Sequence, residues 1–123
     1  MRIKVVGPCA SGKTVLVERL QALGYDAYQC LQEHSYVPDM WQRVNPADVL
    51  IYLDVTSETA LARRPSWSRA EHYLTLQRAR LAHARRHCDL YISTDGLTPD
   101  EVANQAVVFL RTLLQPFNPP GEC

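Results

Sequence analysis

Apolar positions along the chain follow two different periods. Ile3 to Gly7 is a short β-branched run that stops at glycine, the mark of a strand delivered into a loop. From Lys13 to Leu23 the apolar residues Val15, Leu16, Leu20 and Leu23 recur at helical spacing, and Gly24 supplies the stop. Tyr25 to Leu31 reads as a second, weaker strand. Glu33 to Val44 is polar and aromatic and ends at Asn45-Pro46, which predicts a loop with a short helix. Val49-Leu50-Ile51-Tyr52-Leu53-Asp54-Val55 is the clearest strand, and its continuous apolar character predicts burial on both faces. A short helix follows, capped by Ser57. Ser68-Arg69-Ala70-Glu71 has the capping-box pattern and opens a longer helix to about His87. After a short strand over Asp89 to Thr94, Thr98-Pro99-Asp100-Glu101 combines an N-cap, a proline in the first turn and an acid at the third position. That last helix is expected to bury Val102, Ala106, Phe109, Leu110 and Leu113.

Strands alternating with helices predict a three-layer α/β/α domain with a short, mostly parallel sheet of about four strands, whose ligands bind at the carboxyl ends of the strands. The 123 residues suffice for one domain, expected over 1–115, with a flexible proline-rich tail over 116–123. The apolar fraction of 46% excludes a disordered chain. Formal net charge is zero, so no nucleic-acid or anionic-membrane partner is expected. The charge is unevenly spread, however: seven arginines and one acid, Glu71, lie between Arg63 and Arg86. The four cysteines, at 9, 30, 88 and 123, form no Cys-x-x-Cys pair. No apolar run approaches the roughly 20 residues that span a bilayer, and Met1-Arg2-Ile3-Lys4 leads into a strand and not a signal peptide. A cytoplasmic location is expected.

The glycine at the end of the first strand opens Gly7-Pro8-Cys9-Ala10-Ser11-Gly12-Lys13-Thr14, which matches the P-loop (Walker A) pattern in full. Glycines let the backbone turn its N–H groups toward a polyphosphate, and the following helix points its N-terminal donors and positive dipole end at the same place. Lys13 is expected to reach the β- and γ-phosphates of a nucleoside triphosphate, and the Thr14 hydroxyl to bind Mg²⁺. ATP is preferred to GTP because no Asn-Lys-x-Asp guanine-reading motif is present. Cys9 is read as a small loop filler.

With this loop, the strand and helix over Ala47 to Arg64, and the stretch from Ala84 to Val102, the chain resembles the small P-loop kinases, the broad group of shikimate, gluconate and nucleoside monophosphate kinases. The resemblance implies an ATP- and Mg²⁺-dependent phosphotransferase. It also implies a mobile lid, here about 63–80, that brings arginines onto the transferring phosphoryl group: Arg63, Arg64 and Arg69, with Arg78 as a further candidate. The chain departs from the group between Gly24 and Asp48, a stretch shorter than the acceptor-binding region those kinases carry there.

Phosphoryl transfer also needs an acid that supports Mg²⁺ or orients the nucleophile. Glu33, after the second strand, is preferred. Asp54 at the end of the third strand fits a Walker B pattern and stays open, as do Asp26 and Asp39. His34 and Ser35 beside Glu33 form a polar cluster that could contact an acceptor. Arg80, Arg85 and Arg86 read as a solvated helix face, His83 and His87 as a surface pair, and Trp41 and Trp67 as packing aromatics.

Two functions are carried forward. The first is transfer of the γ-phosphoryl group of ATP to a small acceptor, a nucleotide or a hydroxylated metabolite. The second is a nucleotide-binding switch or slow NTPase without such an acceptor. Oligomeric state is left open.

Overall fold

The structure is a computed structural model and describes residues 1–114; the tail expected at 116–123 lies outside them. Four segments extend as strands: β1 (Arg2–Val6), β2 (Asp26–Gln29), β3 (Val49–Asp54) and β4 (Leu90–Ser93). All pair in parallel in the order β2-β1-β3-β4, with Val5 opposite both Gln29 and Ile51, and Ile51 opposite Leu90. Between them lie α1 (Lys13–Ala22), α2 (Met40–Arg43), α3 (Ser57–Arg63) and α4 (Ala70–His87), with a 3₁₀ turn at Gln32–His34, and α5 (Pro99–Leu114) follows β4.

The pleat of the two central strands divides the core. Ile3, Val5, Val49, Ile51 and Leu53 face one way and meet Leu16, Val17 and Leu20 of α1 and Val102, Ala106 and Leu110 of α5. Val6, Leu50 and Tyr52 face the other way and meet Leu81 and Ala84 of α4. This is the three-layer α/β/α arrangement, and it explains the continuous apolar run of β3, since each face of that strand is covered by a helix.

Leu113 departs from the burial expected for the last helix, and two of the apolar positions read at helical spacing on α1 lie off its buried face. Leu23 is 63% exposed, Val15 40% and Leu113 46%, whereas Val17 and Ala103 are buried. On α1 the face turned to the sheet runs through 13, 16, 17 and 20, one helical stripe that excludes 15 and falls short of 23. Phe109 is only partly buried against the same core.

The caps also need correcting. Thr56, not Ser57, caps α3: its hydroxyl accepts from the Thr59 amide at 3.3 Å, while its own amide is held outside the helix by Asp95 Oδ1 at 3.0 Å. Ser68 does not cap α4, because Arg69 takes a left-handed conformation (φ 59°) immediately before Ala70 and leaves Ser68 one residue too far out. The cap of α5 matches its sequence pattern: the Glu101 amide donates to Thr98 Oγ1 at 3.1 Å and the Thr98 amide to a Glu101 carboxylate oxygen at 3.0 Å.

Long polar side chains fasten the 30–45 segment over α4. Lys4, 1% exposed in a central strand, donates its ammonium protons to the carbonyls of Trp41 and of Val44, the latter at 2.6 Å. Burial pushes its pKa below the usual lysine range, a shift opposed by nearby Cys30. Gln32, fully buried, accepts from the Trp41 amide at 2.8 Å and donates to the carbonyls of Val37 and Arg80. The Trp41 indole N–H donates to His83 Nδ1 at 3.0 Å, which makes Trp41 a packing residue and engages His83 of the His83–His87 pair.

The corrected face of α1 gives a direct test. Leu20→Ala is expected to lower the unfolding free energy by about 2–5 kcal/mol. Leu23→Ala, three residues on, is expected to change it by less than about 0.5 kcal/mol. Urea denaturation of the two variants measures the difference.

Candidate functional site

β1 ends at Val6, and residues 7–12 carry the chain from the carboxyl edge of the sheet into α1. Two glycines make that passage feasible for different reasons. A Cβ on Gly7 would stand 2.2 Å from the Leu53 carbonyl oxygen and 2.9 Å from Ser11 Oγ, so the loop can lie against β3 only without a side chain there. Gly12 has open space around it but a φ of 95°, the left-handed conformation from which α1 starts. Ala10 is also left-handed, at φ 65°, without glycine's freedom.

Lys13, the first residue of α1, points back under this loop. Its side chain is 8% exposed, and Nζ donates to the carbonyls of Gly7 at 2.7 Å and Pro8 at 3.2 Å. It also pairs with Glu33 Oε2 at 2.6 Å. The Glu33 side chain is 2% exposed, and its second oxygen, Oε1, is buried with no hydrogen-bond partner among the described residues. Glu33 arrives there because the 3₁₀ turn of Gln32–His34 follows β2, the strand directly beside β1. Ser11 Oγ, also buried, is likewise without a partner.

The opposite side of the loop is held from α3 and α4. Arg63 donates from one guanidinium nitrogen to the Ala10 carbonyl at 2.7 Å and to Thr94 Oγ1 at 3.0 Å, and from the other to the Thr94 carbonyl at 2.8 Å. Gln77, 5% exposed, accepts from the Cys9 amide at 2.9 Å and donates to Cys9 Sγ at 3.3 Å. Around these groups lies a cleft of about 580 Å³, lined by residues 9–16 of the loop and α1 together with Glu33, His34, Arg63 and Arg64. Leu97, Pro99 and Val102 give it an apolar wall.

The residues singled out in the sequence therefore separate into two groups. Those of 9–14, with Glu33, Arg63 and Arg64, gather at the cleft, and Gly7 and Pro8 accept from Lys13 beneath it. Thr14 is exposed, its hydroxyl accepting from Gln29 Nε2 at 3.3 Å. Asp54, Arg69 and Arg78 do not line the cleft. Asp54 accepts from its neighbouring Val55 amide at 2.8 Å and from the Tyr91 hydroxyl at 2.6 Å, with Arg78 3.7 Å away. Burial, the hydrogen bond to Asp54 and the charge of Asp54 together push the Tyr91 phenol up to about 12. Arg78 also donates to the Val55 carbonyl. Arg64 leans over the Trp67 ring, 5.9 Å from its centroid. Arg80 donates to the Glu33 carbonyl at 3.2 Å and covers Tyr36, so it is a structural contact as well as a surface charge.

Sequence reasoning missed Gln77, Thr94 and Gln29. A polar residue on the apolar stripe of α4 (Ala70, Leu74, Gln77, Leu81, Ala84) was the available signal for Gln77. Thr94 and Gln29 carried none.

Among the described residues no helix is long and apolar enough to cross a membrane. Protein-family models and curated proteins were both compared with the chain, and none matches it. The α/β/α topology is consistent with nucleotide binding in general.

Gly7→Ala tests the close approach on which the loop rests. The added Cβ meets backbone, which cannot swing aside, and the variant is expected to lose about 1–3 kcal/mol of unfolding free energy in urea titrations.

Proposed function

We propose that the chain binds ATP with Mg²⁺ at Gly7–Thr14 and transfers the γ-phosphoryl group to a small acceptor, a nucleotide or a hydroxylated metabolite. The observation that carries this reading is the convergence of the Lys13 ammonium, the unpartnered Glu33 oxygen and the N-terminus of α1 at one cleft. The loop backbone and the first amides of α1 would hold the phosphates, with Lys13 neutralising their charge.

The donors fit a magnesium-bearing triphosphate. The Thr14 hydroxyl and the Glu33 carboxylate are hard oxygen ligands, and Glu33 Oε1 has a coordination position to spare. Bound there, Mg²⁺ would neutralise charge building on the phosphate oxygens. Arg63 is anchored to the loop and Arg64 extends from the same helix end, so both would supply guanidinium donors to the transferring group. Leu97, Pro99 and Val102 would take the flat apolar face of a base.

The alternative reading, a nucleotide-binding switch or slow NTPase, is favoured by one observation. The 3₁₀ turn and α2, in the stretch where the resembling kinases hold their acceptor, are fastened down on α4 through Gln32 and Trp41.

Phosphorus NMR of ATP with Mg²⁺ and pooled nucleoside monophosphates, nucleosides and small hydroxy acids separates the two. The expected result is a new phosphorylated species whose rate of formation falls by about a hundredfold or more in Lys13→Ala. Nucleotide binding with no transfer to any pool supports the switch. No nucleotide binding at all, or turnover indifferent to Lys13→Ala, overturns both.

A further inference from the structure

At the loop, three side chains of different chemistry converge. Cys9 Sγ, a Glu33 carboxylate oxygen and a His34 ring nitrogen all lie within 4.8 Å of one another. Cys9 Sγ and His34 Nε2 are 3.7 Å apart, and His34 Nε2 is 4.0 Å from Glu33 Oε2. Tetrahedral zinc, with bonds of about 2.3 Å to sulfur and about 2.0–2.1 Å to nitrogen or oxygen, separates its donors by about 3.4–3.6 Å. The two edges through His34 are about 0.1–0.7 Å wider than a metal-bound set, a gap that the exposed His34 side chain can close, and the Cys9–Glu33 edge lies within 4.8 Å.

We infer that Cys9, Glu33 and His34 form a binding site for a zinc-class divalent cation, with three protein ligands and one open position. Sulfur and imidazole donors select a borderline cation and disfavour Mg²⁺, which takes oxygen. The Cys9 thiol loses its proton to solvent as the sulfur–metal bond forms, so the thiolate offsets half of the ion's double charge, while the Glu33 carboxylate is shared between the ion and Lys13. Two further observations point to a ligand. Glu33 Oε1 is buried and unpartnered while Oε2 is kept by Lys13, so one oxygen of the carboxylate is free to coordinate. Gln77 orients Cys9 at both ends, accepting from its amide and donating to its sulfur, the kind of contact that fixes a ligand's direction. The half-exposed His34 side chain leaves the cluster open to solvent.

The site does not depend on the nucleotide reading, because the cation binds the chain alone. If that reading holds, Glu33 is shared, and zinc at this position withdraws the acid from Mg²⁺ and opposes nucleotide binding.

The test is a titration of the reduced, nucleotide-free chain with Co²⁺ and Zn²⁺ in excess Mg²⁺. One cation per chain is expected, with a thiolate-to-cobalt charge-transfer band that zinc abolishes. Cys9→Ser and His34→Ala are each expected to weaken binding by at least about tenfold, and Cys9→Ser removes the band although the other three cysteines remain. Metal-free melting curves report whether each variant folds, and the exposed His34→Ala decides the matter if Cys9→Ser does not. Absence of the band, binding displaced by Mg²⁺, affinity unchanged in His34→Ala, or loss of binding in His83→Ala instead would each overturn the assignment. ATP titrations run separately keep a failure of the nucleotide reading distinct from a failure of this one.

Discussion

The Lys13 ammonium sits under the glycine loop with almost no access to water, and the surrounding chain supplies what water would have given it. Two loop carbonyls accept its protons and the Glu33 carboxylate meets its charge. Neither ion would be tolerated at this depth alone, since an isolated buried charge costs far more than a paired one returns. The requirement reaches back to the sheet order. Only because β2 lies directly beside β1 does the turn after β2 arrive under the same loop that β1 enters. The loop, the pair and the strand order stand or fall together.

Buried polar side chains repeat this logic elsewhere. Lys4, Gln32 and Gln77 are each nearly inaccessible, and each bonds main-chain groups of segments without regular ladders of their own. Irregular backbone must find partners, and a long polar side chain reaching from a strand or helix provides them with fixed geometry. The 30–45 segment, whose Leu31, Tyr36, Val37 and Val44 are exposed, is held in this way and not by a core of its own.

The fold was readable because its signals are local. β-branched runs ending at glycine, and helical periods ending at glycine or opening at threonine, fix element type wherever they occur, and they placed every strand within two residues of its observed start. The glycine-rich turn from β1 into α1 was readable for the same reason. What local signals cannot report is which of several acids the tertiary structure brings to the loop. Glu33 and Asp54 are both acids at strand ends. They part company only through strand order, which puts Glu33 beside Lys13 and turns Asp54 toward Tyr91. Cap positions failed at Ser57 and Ser68 because a neighbour's tertiary contact or left-handed backbone moved the helix start by one residue. Gln77 sits on the apolar stripe of α4 and its partner Cys9 is 68 residues away, beyond the reach of any local signal.

The double anchoring of the arginine-rich segment limits how it can move. Arg63 is tied to Ala10 and Thr94 at one end, and Gln77 to Cys9 at the other, with Leu74 packed against Val55 and Ala60 just before it. A flap hinged at one end swings freely, but a strap fixed at both can only bow. Between these anchors Pro65, Ser66 and Ser68 are exposed and Arg69 is left-handed, while Trp67 packs against the cluster of Val55, Ala60 and Leu74. The travel of such a strap is set by its slack, and here that slack is confined to the exposed positions on either side of Trp67.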